Sequence, residues 1–352
     1  MAIYNSSAYS AGLTILLLSV SICSASLAEE LDGSETWTSN LYFENDLFDE
    51  TDRHYTNGVR VSWISPNLDH FENDERLPQW MRHANKRLRR IHNNDSLHRN
   101  LVFSIGQLIF TPKDKFATEL IEDDRPYAGF LYTRLAYHMR TDHQLTSTSM
   151  TLGMVGPASL AEEAQDWIHD LRGIDKFNGW DNQLRNELVI NLEYERKYKI
   201  ELGSVLHGLE HDFIAHGGGA FGNQAINLNA GGEYRIGWQL PDDFGTSSLR
   251  SGGDTSAPGP FDRRLKGEGF HSLHTFISFD GRLVGRDIFL DGNTFSSSHS
   301  VNRKNWVGDL AIGVSSTFNR YKLSYAQVFR TREFDEQDEA HQFGSLSFSY
   351  TW

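Results

Sequence analysis

Two residues in the stretch 156–186 have the types and spacing of a hydrolytic centre. Gln165 and His169 are four apart, so on a helix they project side by side. A neutral imidazole can take a proton from water and an adjacent amide can orient it, which suits general-base hydrolysis of an ester. Pro157 fits a first helical turn, and on a 100° wheel Leu160, Ala164, Trp167, Ile168 and Leu171 form one apolar face, with Gln165 and His169 at the edge of the polar one. A single histidine among fifteen is more often a surface or capping residue, so the pair gains meaning only from what accompanies it.

A second group lies upstream. Glu44, Asn45 and Asp46 precede a loop that returns through Tyr55, Thr56, Asn57 and Gly58. Carboxylate and amide oxygens gathered at a strand end can ligate a hard cation such as Ca²⁺, which takes six to eight oxygen ligands. The same Asn-Asp and Asn-Gly pairs are also ordinary turn chemistry. A third stretch, Asp123-Asp124-Arg125-Pro126-Tyr127-Ala128-Gly129, reads as an Asp-Arg pair buttressing a loop. There is no Gly-x-Ser-x-Gly elbow, His-Glu-x-x-His or Walker loop, and the single cysteine, Cys23, sits near the N-terminus. For a hydrolase, water is then the expected nucleophile, with a metal-polarised carbonyl and a His base as the simplest way to use it.

The elements that must position these groups read as β-strands. The last residues show the period of two best: Leu346, Phe348, Tyr350 and Trp352 alternate with Ser345, Ser347, Ser349 and Thr351. Leu188, Ile190, Leu192 and Tyr194 likewise alternate with Asn191, Glu193 and Glu195. Charged residues on the inner face and apolar ones outside separate a barrel in lipid from a soluble sandwich, the rival reading. Twelve segments qualify: 37–45, 58–64, 101–110, 130–140, 145–155, 187–197, 200–209, 225–238, 271–281, 307–318, 320–330 and 343–352. The expected fold is all-β, a closed antiparallel transmembrane β-barrel of twelve strands, with a short helix in an extracellular loop. Short periplasmic turns are expected at Asp142-His143, Tyr198-Lys199 and Asn319. Outer loops are expected at 46–57, 111–129, 156–186, 210–224, 282–306 and 331–342, which gathers the chemistry on one rim. Two even-numbered connections, 65–100 and 239–270, are long for periplasmic turns. The first carries a basic amphipathic stretch with Arg82, Lys86, Arg87, Arg89 and Arg90, suited to anionic headgroups or to capping the barrel base; in the second, the Gly/Ser/Pro-rich 247–260 reads as a mobile loop.

Composition agrees once the period is known. The chain has 352 residues and a net charge of -14, with 33 Lys+Arg against 47 Asp+Glu, which argues against nucleic acid as a partner. Mean hydropathy is -0.49, and the only long apolar run, 11–23, is too short to span a bilayer as a helix. Followed by Ser26-Leu27-Ala28, that run reads as a signal peptide at 1–28, despite lacking Lys or Arg before it, leaving 29–352 as one barrel domain without cysteine.

Taken together, Asn45-Asp46, Tyr55-Thr56-Asn57-Gly58, Thr111-Pro112, Asp124-Arg125-Pro126-Tyr127-Ala128-Gly129, Gly156-Pro157, Gln165, His169 and Trp180-Asp181-Asn182-Gln183 resemble the LpxR-type lipid A 3′-O-deacylases. The resemblance implies a twelve-stranded outer-membrane barrel of Gram-negative bacteria that uses Ca²⁺ to remove the 3′-linked acyloxyacyl group of lipid A, its active site facing the outer leaflet. Carried over by position, the family's active-site Asn and Asp fall on Asn45 and Asp46, its Thr on Thr56, its Gln on Gln165 and its catalytic His on His169. The acidic residue six after the His falls on Asp175, one methylene shorter than the family's Glu. The basic residue after Thr-Pro has two candidates, Lys113 and Lys115, neither at the family spacing, for binding substrate or stabilising the oxyanion. Ca²⁺ is expected on some of Asn45, Asp46 and Asp175. The expected partners are lipid A or lipopolysaccharide and membrane lipids, with the protein a monomer. An outer-membrane phospholipase and a non-catalytic channel or adhesin are the alternatives.

Overall fold

The computed structural model describes residues 36–46, 54–68, 79, 98–205, 208–246, 254–259, 262–266, 269 and 271–352. The expected signal 1–28 and the basic stretch 82–90 lie outside the described residues. Twelve antiparallel strands close into one barrel: β1 (Thr38–Asn45), β2 (His54–Ile64), β3 (His98–Thr111), β4 (Ala128–Arg140), β5 (Gln144–Val155), β6 (Glu187–Ser204), β7 (Glu210–Gly222), β8 (Ala225–Trp238), β9 (His271–Asp287), β10 (Trp306–Phe318), β11 (Tyr321–Arg330) and β12 (His341–Thr351). Each pairs with its sequence neighbours, and β1 closes on β12 with Thr38 opposite Thr351. Closure leaves no unpaired strand edge, the condition for β-structure in a bilayer.

The period of two sorts the side chains as the sequence implies. Asn40, Glu44, Arg60, Ser62, Ser104, Arg134 and Glu233 are buried in the lumen, whereas Leu41, Ile105, Leu152, Ile190 and Leu192 stand exposed on the outside. Aromatic residues mark both ends of this apolar band: Trp238, Phe318 and Trp352 near the termini, and Phe221 and Trp306 near the opposite rim.

Ten of the strands occupy the expected places to within a few residues, but β6 and β7 do not fall where the turn at Tyr198-Lys199 would put them. The outward alternation of β6 continues through Tyr198, Ile200 and Leu202, and the chain reverses only at 205–209, where Val205 N–H donates to the Leu209 carbonyl at 2.8 Å. β7 therefore occupies 210–222, the stretch read as an outer loop. Its Gly217-Gly218-Gly219 run has no side chains to alternate. A Cβ on Gly218 would lie only 2.2 Å from the Tyr194 carbonyl and one on Gly219 2.6 Å from the Asn227 carbonyl, so packing between the neighbouring strands requires glycine at these two positions.

The connection from β8 to β9 is the second departure. In its described part, 241–246, 254–259 and 262–266, it enters the lumen as a plug, so the reading of 247–260 as a mobile loop fails for Asp254 to Gly259. Asp254 is fully buried and pairs with Arg60 (3.4 Å) and Arg134 (3.1 Å), while Ser62 donates to it at 2.7 Å. Asp243 pairs with Lys322 (2.7 Å), Arg235 (2.6 Å) and Arg264 (3.3 Å). Burial alone would push the Asp243 carboxyl up, but these three cations hold it well below the usual carboxylate range. A buried ion pair returns little net stability, yet removing one member leaves a charge stranded. The wall and the plug thus depend on each other.

Candidate active site on the outer face of the wall

The site begins with a row of backbone partners at the long-loop rim. Asn45 on β1 lies opposite Asn57 on β2, Asn57 opposite Ile109 on β3, and Ile109 opposite Gly129 on β4. Residues paired across strands share a face. Asn40 and Glu44 point into the lumen, so Asn45 points out, and the whole row with it. Ile109 is only 1% exposed, and Asn45 and Asn57 are 4% and 7% exposed. An outward-facing rim residue of a barrel is buried only when something covers it from outside.

Part of the cover is the excursion between β5 and β6. Gly156 turns the chain at φ 96°, Pro157–Ser159 form one 3₁₀ turn, and helix α1 follows at Ala161–Arg172. α1 ends on Gly173 at φ 65°, with Ile174 N–H donating to the His169 carbonyl at 3.1 Å. Gly129 makes room for the excursion: a Cβ there would lie 2.2 Å from Ala161 Cβ and 2.1 Å from Ser159 Oγ. Gln107, also outward, donates to the Ser159 carbonyl at 2.7 Å. Ile109, Tyr127, Ala161, Phe177 and Trp180 form the apolar contact that fastens α1 to the wall.

This seating reverses the wheel reading. The buried residues of α1 are Ala161, Gln165 and His169, while Leu160, Trp167 and Leu171 are exposed. The face presented to the wall is the one that carries chemistry, since the outward rim row opposite it is partly polar and α1 needs only Ala161 and its neighbours to pack.

His169 Nδ1 lies 2.6 Å from the Asp175 carbonyl. A carbonyl only accepts, so Nδ1 carries the proton and Nε2 is left as the basic nitrogen of the neutral ring. The Phe177 ring meets the imidazole edge-on at 5.8 Å. Trp180 Nε1 donates to Gln165 Oε1 at 3.0 Å, which fixes the amide orientation, and the Gln165 NH₂ group is buried without a hydrogen-bond partner. A buried unsatisfied donor costs about 1–3 kcal/mol, a cost that persists where a ligand oxygen is to be met. Across the row, Asn57 Oδ1 is also buried and unpaired.

The remaining expected residues take clear places. Asp46 is fully buried directly after Asn45. Thr56 is the extra residue of a β-bulge, because Tyr55 pairs with Phe110 and Asn57 with Ile109; its side chain lies outside the described residues. Asp175 approaches His169 through its backbone, and its carboxylate is exposed. Lys113 reaches Asp338 at 2.7 Å on the exposed surface. The Lys115 ammonium lies over the Phe116 ring, and its backbone carbonyl accepts from Asn178 N–H at 2.9 Å, on the side of the α1 loop. Asp124 does buttress a loop, accepting from Lys113 and Arg125 backbone N–H groups at 2.7 Å each. Its carboxyl is pushed up by burial, against those two bonds. The Arg125 guanidinium, however, goes to Glu333 at 3.3 Å and lies over the Phe110 ring. Burial would raise the Glu333 carboxyl, but Arg330 and Arg125 bring it down to about 2.

The sequence offers Asn57 only as part of the 55–58 return; the register, which sets it opposite Asn45, singles it out. Among the described residues no three His, Cys, Asp or Glu side chains gather as a metal cluster. The donors that register brings together are of another kind, the Asn45 and Asn57 amides opposite one another, with buried Asp46 next in sequence to Asn45. A hard cation takes such oxygens together with backbone carbonyls and water, and the unpaired Asn57 oxygen fits that need. A cavity inside the barrel, about 180 Å³ and bounded by Arg60, Tyr132, Glu193 and Arg330, lies behind the wall from this site.

The family described as outer membrane protein LpxR matches residues 13–352. No curated protein matches. Among solved structures, LpxR from Salmonella typhimurium superposes with a TM-score of 0.67 at 17% identity, covering 89% of this chain and 99% of that one. The β domain of the Bordetella autotransporter BrkA gives a TM-score of 0.40 at 7% identity, over 91% of this chain and 99% of that one.

Proposed function

The chain belongs to the LpxR family of outer membrane proteins, and from that premise we propose that it is an ester hydrolase that removes the 3′-linked acyl group of lipid A. It is a β-barrel of the Gram-negative outer membrane. In this reading residues 1–28 are the export signal and 29–352 the mature barrel. The termini and short turns mark the periplasmic rim, so the long loops and the site face outward. The observation that carries the proposal is the pair on α1: a histidine whose Nδ1 is held by a carbonyl, beside a buried amide with unspent donors, both turned to the lipid side of the wall.

His169 Nε2 takes the proton of the attacking water, and the Asp175 carbonyl steadies the imidazolium that forms. The Gln165 NH₂ group donates to the oxygen that gains charge as the ester carbonyl becomes tetrahedral. On collapse, the proton on Nε2 passes to the sugar oxygen that leaves, and the acyl group departs as the carboxylic acid, which gives its remaining proton to solvent water to become the carboxylate. Asn45, Asp46 and Asn57 would hold Ca²⁺, with Thr56 at the neighbouring bulge and Lys115 or Lys113 against the substrate. Bound there, the ion would polarise the ester carbonyl and offset the repulsion between an acidic protein and anionic lipid A.

Mass spectrometry of lipid A from cells that express the protein tests the assignment. Loss of the 3′-linked acyl group is expected. Unchanged lipid A with new lysophospholipid would instead make the protein a phospholipase.

A further inference from the structure

Seated against the wall, α1 has three sides. Ala161, Gln165 and His169 are buried, Glu162, Glu163, Asp166 and Asp170 make an acidic side, and Leu160, Trp167 and Leu171 stand exposed between them, Trp167 at 67% and Leu171 at 74%. Large apolar side chains at that exposure, gathered on one flank, mark an interaction surface. The register locates it. α1 starts over Gly129, and the next outward row below runs through Gln107, Leu131, Met154 and Leu188. Leu131 and Leu188 are exposed. The row beneath that, with Ile105, Leu152 and Ile190, is equally exposed and apolar. At about 3.3 Å per residue, the first of these rows is only about 7 Å from the one that supports α1. The start of α1, with Leu160 exposed at its N-terminal end, therefore lies directly above the band by which the barrel meets lipid.

We propose that the Leu160–Trp167–Leu171 flank of α1 is submerged among the acyl chains of the outer leaflet, with its acidic side turned to the headgroup region, so that the helix lies in the interface plane. Acyl chains then abut the element that carries Gln165 and His169, and an ester at the base of the headgroup meets those residues from the membrane side. The surface itself does not depend on the hydrolytic reading.

Spin labelling tests it. The one native cysteine is Cys23, so a Cys23→Ser chain carrying Leu160→Cys, Trp167→Cys or Leu171→Cys, with Glu163→Cys and Asp170→Cys as references, gives one label per protein. In vesicles of phosphatidylethanolamine, phosphatidylglycerol and lipopolysaccharide, labels at 160, 167 and 171 should collide with dissolved oxygen several-fold more than with a water-soluble nickel complex. Those at 163 and 170 should show the reverse. Equal nickel access on both sides would overturn the proposal by placing the helix in water. Exclusion of both reagents at 160, 167 and 171 would overturn it too, by revealing a protein partner. Heat-modifiable migration on gels confirms that each labelled barrel is folded, and the three positions check one another should one substitution fail to fold.

Discussion

At the level of single residues, the chemistry of the site is decided by which atoms are already engaged. Gln165 has its oxygen engaged by Trp180 and its NH₂ group buried without a partner. Gln165→Glu keeps the acceptor and removes the donors, so it should lower kcat by about 10²–10³ while the melting temperature of the barrel stays put; an active Gln165→Glu enzyme would take the amide out of the reaction. Asn57 offers the complementary case. Asn57→Leu should weaken calcium binding, read by titration calorimetry, by about tenfold or about 1.4 kcal/mol, whereas Asn57→Asp should retain it. Equal affinities for Asn57→Leu and the parent would leave only Asn45 and Asp46 as side-chain ligands at that corner. Much of this site was legible in the sequence, because Gln165, His169, Asn45 and Asp46 are recognisable by type and order. Asn57 was legible only as one residue of the 55–58 return, since its place opposite Asn45 comes from a cross-strand register that no local pattern encodes. The wheel misjudged α1 for a related reason. Polarity predicts exposure only where water is the alternative, and here the exposed flank borders lipid.

At the scale of elements, α1 is only as well placed as the wall beneath it. Gly129 is the pivot: a valine there would drive Ser159 and Ala161 off β4, so Gly129→Val should abolish hydrolysis while the barrel still migrates as folded on gels. Retained activity would mean that α1 is held mainly by the Tyr127, Phe177 and Trp180 contacts. The outer loops are tied by charge as well. Glu333, brought down to about 2 between Arg330 and Arg125, lies in the β11–β12 loop. Its folded pKa is below the ordinary value of 4.5, so its stabilisation is fully present above about 4.5 and is lost as pH falls toward 2. Thermal melts should accordingly lose stability through that window, and Glu333→Gln should flatten the loss. Strands with alternating residues announced themselves in the sequence, as β6 and β12 do. β7 stayed hidden because three glycines supply no alternation, and a strand needed for close packing of its neighbours looks like a loop.

At the scale of the whole molecule, the closed wall and the plug answer the question posed by an acidic, cysteine-poor chain. Polar residues point inward, and Asp243, Asp254 and Arg264 of the plug bind them to one another. A lumen so filled should pass no ions, and planar-bilayer recordings of the intact protein should show no steady conductance. Deleting 242–264 should open one, and a conducting parent would restore the channel reading. The long β8–β9 connection was visible as an anomaly of length, but its burial was not, because Gly, Ser and Pro suit a plug as well as a mobile loop. The central claim is that the outward face at α1 hydrolyses the 3′ ester of lipid A, and one measurement addresses it directly. Purified protein is incubated with lipid A in the presence of calcium, with a chelator, and as His169→Ala, and the products are read by mass spectrometry. Loss of the 3′-linked acyl group is expected in the first case and intact lipid A in the other two, with the protein folded in all three. The same 3′ deacylation by His169→Ala would contradict the central claim.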